Sequence, residues 1–228
     1  MAGALSGTTL GGVRTLVVAT LAVLAAAAAP AAGMPRQTDL PAPELQAPAV
    51  DLPLAWRSSR AVGAPNAGRL VRGVRLPPEG IDFWTYDWGI RTSPNRPWRR
   101  WGTDRLVRTV LAVLREYRAA NPLAPRVGVA DISRRHGGAF GRNFGGLGHA
   151  SHQNGLDVDI LYPRLDGAEA AIRDHREVDR ALAQDLVDRF VAAGATKLFT
   201  GPRLHLRGPR GVVVPLVHHD DHVHVRLR

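Results

Sequence analysis

Residues 156–161 read LDVDIL and residues 222–227 read HVHVRL. In both, apolar and polar residues alternate one for one, the period that puts successive side chains on opposite faces of a β-strand. Leu156, Val158 and Ile160 face away from Asp157 and Asp159; Val223, Val225 and Leu227 face away from His222, His224 and Arg226. Each strand therefore has one face fit for a core. The other face carries imidazole, carboxylate and guanidinium groups.

Working outward, RVGVADIS (126–133), residues 197–200 and residues 212–217 read as further short strands. Thr103 is placed to cap a helix from Asp104 to about Ala120, with Leu106, Val110, Val113, Leu114 and Tyr117 at helical spacing on one side. Val178 to Ala193 predicts a second helix, with Val178, Leu182, Leu186 and Phe190 on its apolar side and Gly194 just past its end. Strands outnumber helices and do not alternate regularly with them. The expectation is an α+β domain: a small antiparallel sheet with helices packed on one side. Residues 134–148 are basic, Gly-rich and without periodicity, so they read as a loop. Residues 83–101 hold Trp84, Trp88, Trp98 and Trp101, which form either an aromatic wall along a groove or an irregular arm over the core.

The chain has 228 residues, 45% hydrophobic and 22% charged, enough for one folded domain with an appendage. The appendage lies at the N-terminus. Arg14 precedes an apolar run from Leu16 to Ala29, and Ala29 and Ala31 fit a cleavage site, so residues 1–31 read as a secretory signal peptide. Left uncleaved, the run would act as an anchor, although it is short for a span of about 20 residues. Either way the remainder is exported, to periplasm, cell wall or medium, with no stable membrane insertion once the signal is removed. Residues 32–68 are Pro- and Ala-rich and predict an extended linker. The folded domain is expected over residues 69–228.

There is no cysteine, which excludes a disulfide scaffold, thiolate metal ligands and a cysteine nucleophile. A metal site here must use nitrogen and oxygen. Six of the nine histidines fall in GHASHQNGLDVDI (148–160) and HHDDHVHVRL (218–227). Zinc accepts imidazole and carboxylate, and a catalytic zinc keeps three protein ligands and an open position. Gly155 allows a sharp turn between His152 and Asp159, and His224 sits mid-strand with its ring toward a neighbouring strand, making a His152–Asp159–His224 set. His222, two residues away on the same face, is placed to touch bound water or substrate. Asp185, near the edge of the apolar side of the second helix, either accepts a hydrogen bond from a ligand histidine or is a surface acid.

The order H-x-x-G-x-x-x-D at His152, Gly155 and Asp159, with the later His222-x-His224, resembles the zinc peptidases that group lysostaphin-type endopeptidases, D-Ala-D-Ala carboxypeptidases and the hedgehog domain. The fuller string GHASHQNGLDVDI, with the C-terminal H-x-x-H-x-H-V-R-L, is similar to the penicillin-insensitive murein endopeptidase family over roughly Leu76 to Arg228. The resemblance implies a zinc site on the sheet, with His152, Asp159 and His224 as ligands and His222 as a catalytic histidine. It makes His219 another active-site histidine and His149 a histidine near the metal. Asp221 departs from that pattern: it stands three residues before His224, where the carboxypeptidase branch carries an acidic base.

The activity so implied is hydrolysis of peptidoglycan stem-peptide cross-links by a Zn2+-activated water. His222 or Asp221 would be the base, and protonated His219 or His222 would steady the oxyanion. The net charge of +10, almost all arginine, suits an anionic wall, and no nucleic-acid-binding motif accompanies it. Two other readings remain: a D,D-carboxypeptidase, for which Arg135 or Arg142 could hold a terminal carboxylate, and a non-catalytic wall- or metal-binding module.

Overall fold

Residues 53–141 and 149–228 are described by the computed structural model of the chain. The chain divides into two units, Met1–Glu44 and Leu45–Arg228, and every described residue belongs to the second. The expected signal peptide, the first part of the expected linker, and Arg142 lie outside the described residues.

Two helices form where capping and spacing predict them. Helix α1 spans Asp104–Ala120, with the Thr103 side chain accepting from the Leu106 N–H. Its buried side is Leu106, Val107, Val110, Val113, Leu114 and Tyr117. Helix α2 spans Arg180–Ala192 and begins two residues later than expected. The Asp179 carboxylate accepts from the N–H groups of Ala181 and Leu182, which ties the first turn to Asp179 instead of Val178.

The strands are β1 (Arg60–Ala64), β2 (Ala67–Val71), β3 (Val74–Arg75), β4 (Phe83–Thr85), β5 (Trp101–Gly102), β6 (Val127–Val129), β7 (Asp157–Leu161), β8 (Lys197–Thr200), β9 (Val213–Pro215) and β10 (His222–Arg226). Six of them form one sheet in the order β4-β6-β7-β10-β8-β9. Its centre is antiparallel, as expected, but both edge pairs, β4–β6 and β8–β9, are parallel. The sheet is thus mixed, not purely antiparallel. Parallel neighbours need a long crossover, and the chain between β4 and β6 supplies one that contains α1. Alternation within a strand carries no information about the direction of its neighbour, so this feature was not readable.

The apolar side of the sheet lies in one core with both helices. Val129, Val158, Ile160, Leu198, Val223 and Val225 share it with Leu106, Val110, Leu114, Leu186 and Phe190. Each such side chain removed from water contributes about 1.5–3 kcal/mol. The expected one-sided helix packing therefore holds. On the opposite side, Leu161 joins Trp84 and Ala130 in a smaller apolar cluster, flanked by Tyr86 and Trp88. The remaining space on that side belongs to Asp157, Asp159, His222, His224 and Arg226.

Ordered structure reaches back into the stretch expected to be linker. β1 and β2 pair as a hairpin turned at Pro65 and Asn66, residues suited to a turn by fixed φ and by tolerance of tight backbone. The hairpin is bonded to the loop that carries His152: Gln153 N–H donates to the Pro65 carbonyl (2.9 Å) and the Asn154 amide to that of Gly63 (3.1 Å). The Trp region is an arm folded around Asp87, whose carboxylate is buried and accepts from Gly89 N–H (2.9 Å) and from the Arg96 side chain (2.5 Å).

Candidate metal centre

Register sets the first two groups. β7 and β10 pair so that Asp159 stands directly across from His224. Directly opposed side chains share a face with Cβ atoms about 5 Å apart, and here His224 Nδ1 lies 3.0 Å from Asp159 Oδ1. The third group comes from the loop before β7. His152 holds φ +66 and Gly155 φ +76, and the Thr103 N–H pins the turn through the Gly155 carbonyl (2.9 Å). A left-handed conformation costs a residue with a Cβ about 1–2 kcal/mol. The Asp157 carboxylate offsets part of this by accepting the His152 N–H at 3.1 Å. His152 Nε2 then lies 3.1 Å from His224 Nδ1 and 3.3 Å from Asp159 Oδ1.

The partners on the far side of each ring decide what those atoms offer. His152 Nδ1 is 2.8 Å from the Ile132 carbonyl, which only accepts, so Nδ1 carries the proton and Nε2 a lone pair. His224 Nε2 is 3.2 Å from Asp157 Oδ1, which likewise leaves a lone pair on Nδ1 of the neutral ring. With Asp159 Oδ1, three electron-rich atoms converge among residues no more than 5% exposed. They repel one another unless a cation lies among them. Asp159 Oδ2 is also buried without a hydrogen-bond partner among the described residues. Without metal, a proton relieves the repulsion: burial pushes the His224 pKa down, but the bonds to Asp157 and Asp159 prevail and raise it to about 9.

Two carboxylates missed in the sequence reading hold this arrangement. Asp157 is fully buried and touches the His152 backbone, His224 and Arg226 Nε (2.6 Å). Burial alone would raise its pKa; the bond from His224, the charges of both histidines and Arg226 hold it below the usual carboxylate range. Its signal was present as the acid two residues before Asp159 on the same strand face. Asp131, also fully buried, accepts from Arg99 Nε (2.5 Å) and Asn95 Nδ2 (3.2 Å), and its Oδ2 lies 2.7 Å from His149 Nε2. An acid closing the apolar run RVGVA was the available clue.

His149, His152 and Asp159 also form a group whose ligand atoms lie within 4.8 Å of one another and could hold a metal ion. His149 Nδ1 is 3.9 Å from Asp159 Oδ2, farther than the His224 contact, and its side chain is more exposed. The two sets share His152 and Asp159.

His222 stands on the same strand face. Its Nδ1 donates to Asp221 Oδ1 (2.7 Å), which leaves Nε2 free and 3.8 Å from Asp159 Oδ1. Asp221 therefore meets His222 first. His219 packs its ring 4.9 Å from that of His222, with Nδ1 donating to the Val217 carbonyl (2.9 Å). Burial and the neighbouring His222 charge lower its pKa, so the protonated His219 expected at the oxyanion is disfavoured at neutral pH.

Packing chooses between the alternatives left open for Asp185, Arg135 and the tryptophans. Asp185 bonds Asn121 Nδ2 (2.8 Å) and Arg189 Nε (2.9 Å); helix α2 packs on the opposite side of the sheet, so among the described residues Asp185 bonds none of the clustered histidines and is the surface acid of its two readings. Arg135 lies over the Trp101 ring at 5.6 Å, away from the site. The tryptophans divide between the two readings. Trp84, Tyr86 and Trp88 succeed one another edge to face and line a groove of about 1120 Å³ with His149, Asp159, Asp221 and His222, whereas Trp98 packs on Phe140 and Trp101 lies in β5.

A family model described as penicillin-insensitive murein endopeptidase matches residues 61–206, more than half of the chain. The match begins inside the expected linker, at the hairpin, and covers His149, His152 and Asp159. It ends before the C-terminal histidines, which strand pairing brings to the same place. No curated protein matches the chain.

Proposed function

The chain belongs to the penicillin-insensitive murein endopeptidase family, and from that premise we propose that it is an exported zinc metallopeptidase that cuts peptide cross-links in peptidoglycan. His152, Asp159 and His224 would hold the ion. The observation that carries this reading is the convergence of His152 Nε2, His224 Nδ1 and Asp159 Oδ1 at 3.0–3.3 Å from one another. Ligands about 2.0–2.1 Å from a tetrahedral zinc stand about 3.3 Å apart, so the donor set fits in both chemistry and spacing. When bound, zinc acts as a Lewis acid and lowers the pKa of water from about 15.7 to about 7.

The rest of the mechanism falls to the chain's own groups. His222 takes the proton of the attacking water at Nε2, and Asp221 holds its Nδ1–H and stabilises the imidazolium. The Asp221–His222 bond supports His222 as the base, with Asp221 acting through it. His222 then returns the proton to the leaving amine. Asp157 keeps His224 in the tautomer that presents Nδ1, and Asp131 orients His149. His219, neutral, closes the outer edge of the His222 ring. The Trp84–Tyr86–Trp88 wall offers apolar surface to an extended peptide.

Export rests on the character of residues 1–31; among the described residues no helix is long and apolar enough to cross a membrane. Kinship with lysostaphin-type endopeptidases, D-Ala-D-Ala carboxypeptidases and the hedgehog domain rests on the spacing of His152, Gly155, Asp159, His222 and His224. The deciding experiment digests purified peptidoglycan with zinc-loaded protein, with and without a chelator, and follows the muropeptides by mass spectrometry. Chelator-sensitive loss of dimers with gain of monomers is expected. Loss of terminal D-Ala alone would establish a carboxypeptidase, and retention on the wall without products a binding module.

A further inference from the structure

The charges lining the groove do not cancel. Its acids are engaged: Glu169 with Arg126 (2.7 Å), Glu177 with Arg164 (2.7 Å), Asp221 with His222 (2.7 Å), and Asp159 in the metal centre. Of its three arginines, Arg164 is held by Glu177 and by Asp166 (2.7 Å). Arg91 and Arg173 are left. Both are exposed, and among the described residues neither guanidinium has a carboxylate or carbonyl partner.

Both sit on pinned backbone. The loop bearing Arg91 is closed by paired bonds between Asp87 and Thr92 (2.8 and 3.3 Å) and by Asp87 on the Gly89 N–H. That loop also carries Trp88, whose ring is 6.1 Å from the ring of His222. The Arg173 N–H is held by Glu177 (2.9 Å), itself fixed by Arg164. Arg173 also borders a smaller cavity of about 280 Å³ that shares Asp221 with the groove. The two arginines thus stand on separate loops of the groove wall, their backbone fixed by these bonds while their guanidinium groups are open to a ligand.

We propose that Arg91 and Arg173 form a carboxylate-recognition subsite that selects cross-linked peptides bearing free carboxylates over the same peptides with those groups amidated. The inference rests on the endopeptidase reading above and adds to it the charge state of the substrate. A guanidinium presents planar paired donors that match a carboxylate and not a carboxamide, whose nitrogen has no lone pair to accept with. Loops whose backbone is already fixed lose less freedom on binding than mobile ones.

The test compares kcat/KM of the zinc-loaded protein on two defined cross-linked muropeptide dimers, one with free carboxylates and one with carboxamides. Arg91→Ala and Arg173→Ala are compared with Arg115→Ala, an exposed arginine on α1, behind the sheet. The wild type should prefer the free acid by about tenfold or more. Each groove variant should lose several-fold of that preference, while Arg115→Ala keeps it, so substitution and amidation are non-additive only in the groove. Equal cleavage of both dimers by the wild type overturns the proposal and leaves the endopeptidase reading intact. So does a preference that survives both groove substitutions. A rate loss shared by all three variants and erased by salt would mark general attraction to a polyanion, and also overturns it. Cleavage of neither dimer removes the endopeptidase reading, and the subsite with it.

Discussion

Replacing Asp157 with Asn separates orientation of the centre from mere stability. Asp157 accepts from three donors at once: the His152 N–H (3.1 Å), His224 Nε2 (3.2 Å) and Arg226 Nε (2.6 Å). An Asn has one accepting oxygen. If that oxygen stays on His224 and Arg226, the new NH2 faces the His152 N–H, donor against donor. If it turns to His152, the NH2 faces His224, which can meet it only by moving its proton to Nδ1, the atom proposed to bind metal. Losing a charged partner for a half-exposed Arg226 and leaving one buried donor unpaired costs about 2–4 kcal/mol. Loss of the orienting carboxylate lowers metal affinity about 10–100-fold, or about 1.4–2.8 kcal/mol. Urea denaturation of metal-free protein measures the first quantity. Competition with a zinc chelator, well below the denaturation midpoint, measures the second. Leu186→Ala is the control: it empties a fully buried site on α2 at a cost of about 2–5 kcal/mol without touching the centre. An Asp157→Asn protein that loses stability yet holds zinc like the wild type would refute the orienting role.

His222→Ala should retain zinc in the same competition assay but lose about 10²–10⁴-fold in turnover on muropeptide dimers; loss of the metal instead would make His222 a ligand. Metal-free protein should lose stability between about pH 6.5 and 9. The His224 pKa is raised to about 9 from 6.5, so its stabilisation is complete below the unfolded value and disappears as pH rises through the folded one. Added zinc should reverse that trend, because its ligands must be deprotonated; urea midpoints across the range, with and without zinc, check both signs. Gly155→Ala should destabilise by about 1–3 kcal/mol, since φ is +76 and a Cβ would sit 2.9 Å from Leu70 Cδ1; an unchanged melting temperature would mean that the turn is not under that constraint.

Features set by neighbours in the chain were legible from residue order. Helix α1 was readable to the residue, because a cap and an apolar stripe act over three or four positions. The alternation of LDVDIL and HVHVRL told which side chains of β7 and β10 share a face and pointed to Asp159, His222 and His224, and the turn at Gly155 pointed to His152 beside them. What depends on partners far along the chain was not legible. The parallel edges of the sheet follow from a crossover, which strand patterning does not encode. The hairpin at 60–71 looked like linker because Pro and Gly mark turns and tails alike, and only its bonds to Gln153 and Asn154 distinguish them. The two readings of Asp185 could not be separated because helical spacing places it near an apolar edge without telling which side of the sheet that helix covers. Asp157, Asp131 and Arg99 acquire their roles by burial: a carboxylate removed from water must be matched by donors, and those come from positions up to 69 residues away. Residue order therefore named the chemistry of the site. Packing in three dimensions decided which lone pairs face one another, and so what the site can hold.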